Sequence, residues 1–219
     1  LNYNRTFREK HNITGLLVGV LRENKSGGAS SIQTSLPARN IGLSGRFTYA
    51  YDGRYFAEAN FGYNGSERFA KNERFGLFPS IGAGWMISEE KFWNQDLKNI
   101  INKLKLKGTY GLVGNDNIGA WNDRFFYMSE VNLNGSGANF SWGQDFERNV
   151  GTIDMIRYRN DKIKWEIAQK MNLGLEVGLF NIFDIQFDYF TEYRKNIFGE
   201  RQTIPYEMGF SAPLYANKG

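Results

Sequence analysis

Apolar and polar side chains exchange places at every second position along most of this 219-residue chain. That spacing sends successive side chains of an extended strand to opposite faces of a sheet. From Ile41 to Tyr51 the odd positions are Ile41, Leu43, Gly45, Phe47, Tyr49 and Tyr51, and the even ones are Gly42, Ser44, Arg46, Thr48 and Ala50. Asp52-Gly53 follows, a tight-turn signal between two alternating runs. The return run places Tyr55, Ala57, Ala59, Phe61 and Tyr63 against Phe56, Glu58, Asn60, Gly62 and Asn64. A third run alternates Phe75, Leu77, Pro79, Ile81, Ala83, Trp85 and Ile87 with a glycine-rich face. Pro79 has no N–H for a ladder bond, so a bulge or local unpairing is expected there.

The pattern continues to both ends. Leu1 to Phe7 and Ile13 to Leu21 read as a strand pair. Leu104, Leu106, Gly108, Tyr110 and Leu112 alternate with Lys105, Lys107, Thr109, Gly111 and Val113. A long strand sets Trp165, Ile167, Met171, Leu173, Leu175, Val177 and Leu179 on one face. After a turn near Asn181 the chain returns through Ile185, Phe187, Tyr189, Thr191 and Tyr193. Between these, Ser88-Glu89-Glu90 reads as a helix start with Ser88 as N-cap, running to about Asn102. Residues 114–161 read as a long irregular connection, a length that usually marks a functional loop. The reading gives about eight strands. Short turns near 9–12, 51–54 and 180–183 alternate with long connections near 23–39, 65–74 and 114–161, as at the two rims of an outer-membrane barrel.

Composition narrows the class. Mean hydropathy is −0.51 and no apolar run approaches the length of a spanning helix. A spanning strand needs only about 9–11 residues, with every second one facing lipid, so a hydrophilic average is compatible with a barrel. Cysteine is absent and His11 is the single histidine, which leaves no thiolate or histidine metal cluster. The net charge of +4 is scattered along the chain, without the patch that nucleic-acid binding requires. The start at Leu1 and the end after a loop-like stretch both read as cuts through a longer polypeptide.

Several phrases together resemble one family: Tyr51-Asp52-Gly53-Arg54-Tyr55-Phe56-Ala57-Glu58, Asn60-Phe61-Gly62-Tyr63-Asn64-Gly65-Ser66, Arg74-Phe75-Gly76-Leu77-Phe78-Pro79-Ser80, Gly84-Trp85, Ile87-Ser88-Glu89-Glu90, Leu104 to Gly111, Gly114-Asn115-Asp116, Trp165-Glu166 and Asp188-Tyr189-Phe190. In that order they resemble the C-terminal half of the barrel of SusC/RagA family TonB-linked outer-membrane proteins. The resemblance implies an all-β, antiparallel transmembrane barrel segment, with long extracellular loops and one short helix. The whole barrel would have about 22 strands around a plug, and residues 1–219 would be part of that one domain, the plug lying elsewhere. It further implies an importer of oligosaccharides or peptides in the bacterial outer membrane, energised by the TonB complex and covered by a SusD-like surface lipoprotein, with no cofactor. Two other readings share the alternation: an outer-membrane adhesin or structural barrel without transport, and a soluble glycan-binding β-sandwich.

No catalytic set is legible. Glu89 and Glu90 are paired carboxylates, but acids at a helix start favour the helix dipole. Asn115 and Asp116 follow a glycine at a strand exit and suit either a turn or ligand contact. Trp121, Phe125, Phe126, Tyr127 and Trp142 are the loop aromatics, suited either to packing between loops or to contact with substrate or lid. Tyr49, Tyr51, Tyr55, Tyr63 and Trp85 are expected at the membrane interface. Arg46, Glu58, Lys105, Lys107, Glu166, Lys170, Asp188 and Arg194 are expected on the lumen face, paired with one another or with a plug.

Overall fold

The computed structural model describes residues 1–25, 27–28, 32–119 and 124–219. Eight strands form one antiparallel sheet in the order β1 (Asn2–Phe7), β2 (His11–Asn24), β3 (Ala38–Tyr51), β4 (Tyr55–Ser66), β5 (Phe75–Met86), β6 (Ile101–Asn115), β9 (Glu166–Leu179) and β10 (Phe183–Lys195). One helical turn, α1 (Ile32–Ser35), lies between β2 and β3, and two separate strand pairs stand outside the sheet. These are β7 (Glu130–Trp142) with β8 (Arg148–Arg157), and β11 (Ile197–Glu200) with β12 (Tyr215–Lys218).

Register converts the alternation of each strand into two faces of the whole sheet, because directly paired residues point the same way. Tyr51, Tyr55, Trp85, Leu106, Leu175 and Phe187 form one cross-strand row. Phe47 with Ala59, Ala59 with Ile81, and Ile81 with Tyr110 continue the same face. The opposite face carries Arg46, Glu58, Lys105, Lys107, Glu166, Lys170, Asp188 and Arg194. Its centre is a groove of about 590 Å³ over Ser80, Gly82, Gly84 and Gly111. The apolar face is not covered: Ile81 is 63% exposed and Phe187 65%. A soluble sandwich would bury those side chains under a second sheet, and no such layer exists among the described residues.

Three tight turns at one rim share a conformation. Their central pairs, Arg8-Glu9, Asp52-Gly53 and Phe180-Asn181, all have positive φ. Each is closed by a backbone bond, from Lys10 to Phe7, Arg54 to Tyr51 and Ile182 to Leu179, at 2.9–3.2 Å. Two successive positive-φ residues give a turn the twist that matches the flanking strands, here within three-residue loops between the paired Phe7 and His11, Tyr51 and Tyr55, and Leu179 and Phe183. The fourth connection at this rim is longer. Residues 87–89 form one 3-10 turn, and helix α2 (Gln95–Ile100) follows. Its N-cap is Asn94, whose Oδ1 accepts the Leu97 N–H at 3.0 Å. The helix thus starts later and ends earlier than expected. Ser88 is buried and caps nothing.

Pro79 produces no bulge against β4, where Phe61 faces it in unbroken register. The unpairing falls on the other side: β5 and β6 are paired only from Ser80 with Gly111 onward. Beyond that point β5 leaves β6, and the Phe78 ring fills the gap over Gly114, where a Cβ would lie 2.0 Å from Phe78 Cζ. Within the irregular connection expected over 114–161, Glu130–Trp142 and Arg148–Arg157 instead form the β7–β8 hairpin. The hairpin escapes a period-2 reading because its register slips three times. The stretch before the C-terminal residues holds β11, and those residues form its partner β12.

The large buried hydrophobics gather at the loop rim. Phe69, Phe78, Ile118, Phe126, Ile163 and Trp165 form one cluster, with Ile167, Phe198 and Tyr215 against it. Trp165, expected on the outward face of a strand, lies just before β9 and is 8% exposed. Its ring centroid is 5.2 Å from both Phe69 and Phe78, and its indole N–H donates to the Arg74 carbonyl at 3.1 Å.

Candidate functional site

The polar face is neutralised within itself. Arg46 meets Glu58 at 2.8 Å, and Glu176 receives Lys103 at 2.8 Å and Lys107 at 3.0 Å. Lys107 also approaches Asp188 at 3.7 Å. Lys170 pairs with Glu192 at 3.4 Å, and Arg194 with Glu166 at 3.5 Å and with Glu192. Lys105 lies over the Phe56 ring at 4.9 Å. The expected lumen-facing charges therefore share one face, and all but Lys105 form ion pairs there. Leu16, Val18 and Val20 interrupt it. Their pairing with Arg46, Ser44 and Gly42 puts them on the polar face.

At the loop rim the polar face ends in a recess of about 500 Å³. Asp116 lines it, next to Asn115 at the end of β6. The Asn115 side chain donates to Glu166 at 3.3 Å and accepts the Asn117 N–H at 3.0 Å, a local turn lock. Asp116 accepts from the Asn40 side chain at 3.3 Å. Arg68 crosses the recess to the Asn117 side chain at 3.4 Å and the Ile118 carbonyl at 2.9 Å. Arg22, in register with Asn40, also lines it. Neither arginine stood out in the sequence, because the recess they line with Asp116 is assembled from segments far apart in the chain.

The described loop aromatics do not form one group. Phe126 is 3% exposed. The Phe198 and Tyr215 rings stand edge-on to it at 4.7 and 5.5 Å, and Arg157 lies over it at 4.8 Å. It is part of the packing between loops. Phe125 stands edge-on to Tyr127 at 5.8 Å, with Arg124 over its ring. Tyr127 is half-buried, reaches the Glu67 carbonyl at 3.4 Å, and has its phenol pKa pushed up by burial. Trp142 is exposed at the far end of the hairpin. Trp121 lies outside the described residues.

The remaining aromatics divide between the rims. Tyr49, Tyr51, Tyr55 and Trp85 belong to the turn rim. Tyr51 stacks on Tyr55 at 6.3 Å and Tyr55 on Trp85 at 6.5 Å, while His11 Nδ1 is 2.8 Å from the Tyr49 hydroxyl. Tyr63 is at the opposite end of β4, stacked on Phe75 at 5.3 Å. A polar knot ties the turn rim. Glu90 accepts from the Trp85 indole at 2.9 Å and from Arg54 at 3.2 Å, and Arg54 also reaches Asp52 at 2.7 Å. The Tyr55 hydroxyl foremost, then the Trp85 N–H and Arg54, hold the Glu90 carboxyl below the usual carboxylate range. Among the described residues no cluster of acidic or histidine side chains could hold a metal ion.

No protein-family model matches the chain. It is 33% identical over 151 residues to TonB-dependent receptor SusC of Bacteroides thetaiotaomicron, a match covering 68% of this chain and 14% of the relative. It is 27% identical over 241 residues to a TonB-dependent receptor of Formosa agariphila, covering 96% of this chain and 21% of that one. All of the chain superposes on 25% of a chain in a structure of the RagAB peptide transporter, with a TM-score of 0.74 at 21% identity. A RagAB importer structure in an open-open state gives 0.73 at 22%, again over 25% of its chain. The chain thus spans about a fifth or less of these curated relatives. With its sheet matching the RagA barrel and its sequence matching SusC, the chain belongs to the SusC/RagA family of TonB-dependent receptors and resides in the bacterial outer membrane.

Proposed function

We propose that the chain forms a wall sector and extracellular loops of an active importer of oligosaccharides or peptides, energised by the TonB complex. In this reading residues 1–219 are part of a single barrel domain, and a plug supplied by other parts of the polypeptide fills the lumen. A SusD-like surface lipoprotein closes the mouth. The observation that carries the reading is the sheet with one uncovered apolar face and one face of mutually paired charges. Such a sheet is stable only with lipid on one side and a wet or plugged space on the other. In the same reading the chain does no covalent chemistry. Asn115 and Asp116, with Arg22 and Arg68, present hydrogen-bonding groups to ligand at the mouth, and Phe125, Tyr127 and Trp142 contact ligand or lid. The Tyr49, Tyr51, Tyr55 and Trp85 group and Tyr63 mark the two membrane interfaces.

The test is uptake of labelled oligosaccharide and labelled peptide pools by cells expressing the full-length receptor, with and without TonB. Uptake of one pool that disappears without TonB is the expected result. Outer-membrane insertion with no TonB-dependent uptake of either pool would favour an adhesin or structural barrel.

A further inference from the structure

The three tight turns at the turn rim differ sharply in chemistry. Two are charged, Arg8-Glu9-Lys10 and Asp52-Gly53-Arg54. The third, between β9 and β10, reads Leu179-Phe180-Asn181-Ile182-Phe183. Phe180 is 55% exposed, Ile182 75% and Phe183 59%. Large apolar side chains at a hairpin tip are the reverse of what a water-facing turn selects.

Helix α2 extends this patch. The Phe180 N–H donates to the Ile100 carbonyl at 2.9 Å, so the end of the helix abuts the turn. Leu97 and Ile100, three residues apart, share one side of α2, and both are exposed. The patch also continues the outer face of the sheet: Ile101 pairs with Leu179, and Leu179 with Phe183, in the parity of Leu104, Val177 and Ile185. The outward band therefore reaches the last paired residues, Leu179 and Phe183, and the exposed apolar turn residues Phe180 and Ile182 adjoin it there.

We infer that the β9–β10 turn and helix α2 form a lipid-contacting foot, seated among the acyl chains and headgroups of the periplasmic leaflet. Continuity with the outward band identifies the occupant as lipid. A plug would meet the polar face, which lies on the other side of the same strands. The foot sets the depth of this sector of the rim, whereas the two charged turns stand in water. The inference rests on the reading of the sheet as barrel wall.

The test uses the absence of cysteine from this chain. Single cysteines replace Ile182, Glu9 and Ile81 in the full-length receptor, with any cysteines elsewhere removed. Each carries an environment-sensitive fluorophore, in phosphatidylcholine vesicles with or without lipid brominated near the headgroup end of its chains. At position 182 brominated lipid is expected to quench at least twofold more than aqueous iodide, and at position 9 the order reverses. Iodide quenching at 182 equal to that at 9 would overturn the foot, as would shielding of 182 from both quenchers, which would mean a protein cover. The Ile81 site separates the two levels of the argument. If it too is quenched by iodide and not by lipid, the barrel-wall reading itself has failed.

Discussion

Placing a lysine at Ile81 should destabilise the receptor by an amount that depends on bilayer depth. Trp85 and Phe75 lie near the two ends of β5, about 34 Å apart at a rise of about 3.4 Å per residue. A strand tilt of about 40° projects this to about 26 Å across the membrane, close to the roughly 25 Å apolar band of such barrels. Ile81 lies about 10 Å from the Trp85 level on the same arithmetic, near the midplane. A lysine there costs about 2–4 kcal/mol, falling to about 0–1 kcal/mol at the interface. To remove the lost packing, each lysine is compared with alanine at the same site. Ile81→Lys should be about 2–4 kcal/mol less stable than Ile81→Ala, and Phe75→Lys within about 1 kcal/mol of Phe75→Ala. Gln186→Lys on the polar face, beside Glu176 and Asp188, should be near neutral. The assay is guanidinium unfolding of the full-length receptor from liposomes, followed by tryptophan fluorescence. Equal penalties at positions 75 and 81 would refute the membrane argument, since a dry protein core would show no dependence on bilayer depth.

Other perturbations test the rims. Gly114→Ala forces a Cβ to 2.0 Å from the buried Phe78 ring and should destabilise by about 1–3 kcal/mol; the added change Phe78→Leu should recover part of the loss in the same unfolding assay. Trp165→Ala empties the loop-rim cluster and should cost about 3–5 kcal/mol, with faster proteolysis near residue 119 as the local readout. Acidification should loosen the turn rim. The folded Glu90 carboxyl titrates below the usual 4.5, so its contribution is complete above that value and is lost as pH falls through the lower folded one. The melting temperature should therefore drop more steeply below about pH 4.5 in the native protein than in Glu90→Gln.

Much of the wall is legible from the sequence because each β-strand position is either lipid-side or lumen-side, and the chain rarely departs from that alternation. The turn at Asp52-Gly53 is readable from residue type, whereas Phe180-Asn181 takes the same conformation without glycine, held by the register of β9 and β10. The β7–β8 hairpin is hidden by its slipped register. The helix start is misplaced because Ser88 and Asn94 are both good N-caps by residue type, and it is the Asn94 side chain that accepts the N–H three residues ahead, from Leu97. The loop-rim cluster is the least legible part. Trp165 alternates correctly with Ile167, yet it is buried because Gly114 leaves room for Phe78, and its partners Phe69 and Phe78 are distant in sequence. The candidate contact residues are mixed for the same reason: Phe126 packs inward, Trp142 faces out, and the Arg22–Arg68–Asp116 recess arises from three separate elements.

The account stands on which medium each face of the sheet touches. The most direct measurement is a spin-label scan of single cysteines from Ile41 to Tyr51 in the full-length receptor in vesicles, recording collision with oxygen, which dissolves in lipid, and with a water-soluble nickel chelate. Oxygen access is predicted to peak at positions 41, 43, 45, 47 and 49, with nickel access or shielding by a plug at the even positions between them. Odd positions closed to oxygen, or reached by both reagents without alternation, would contradict the account.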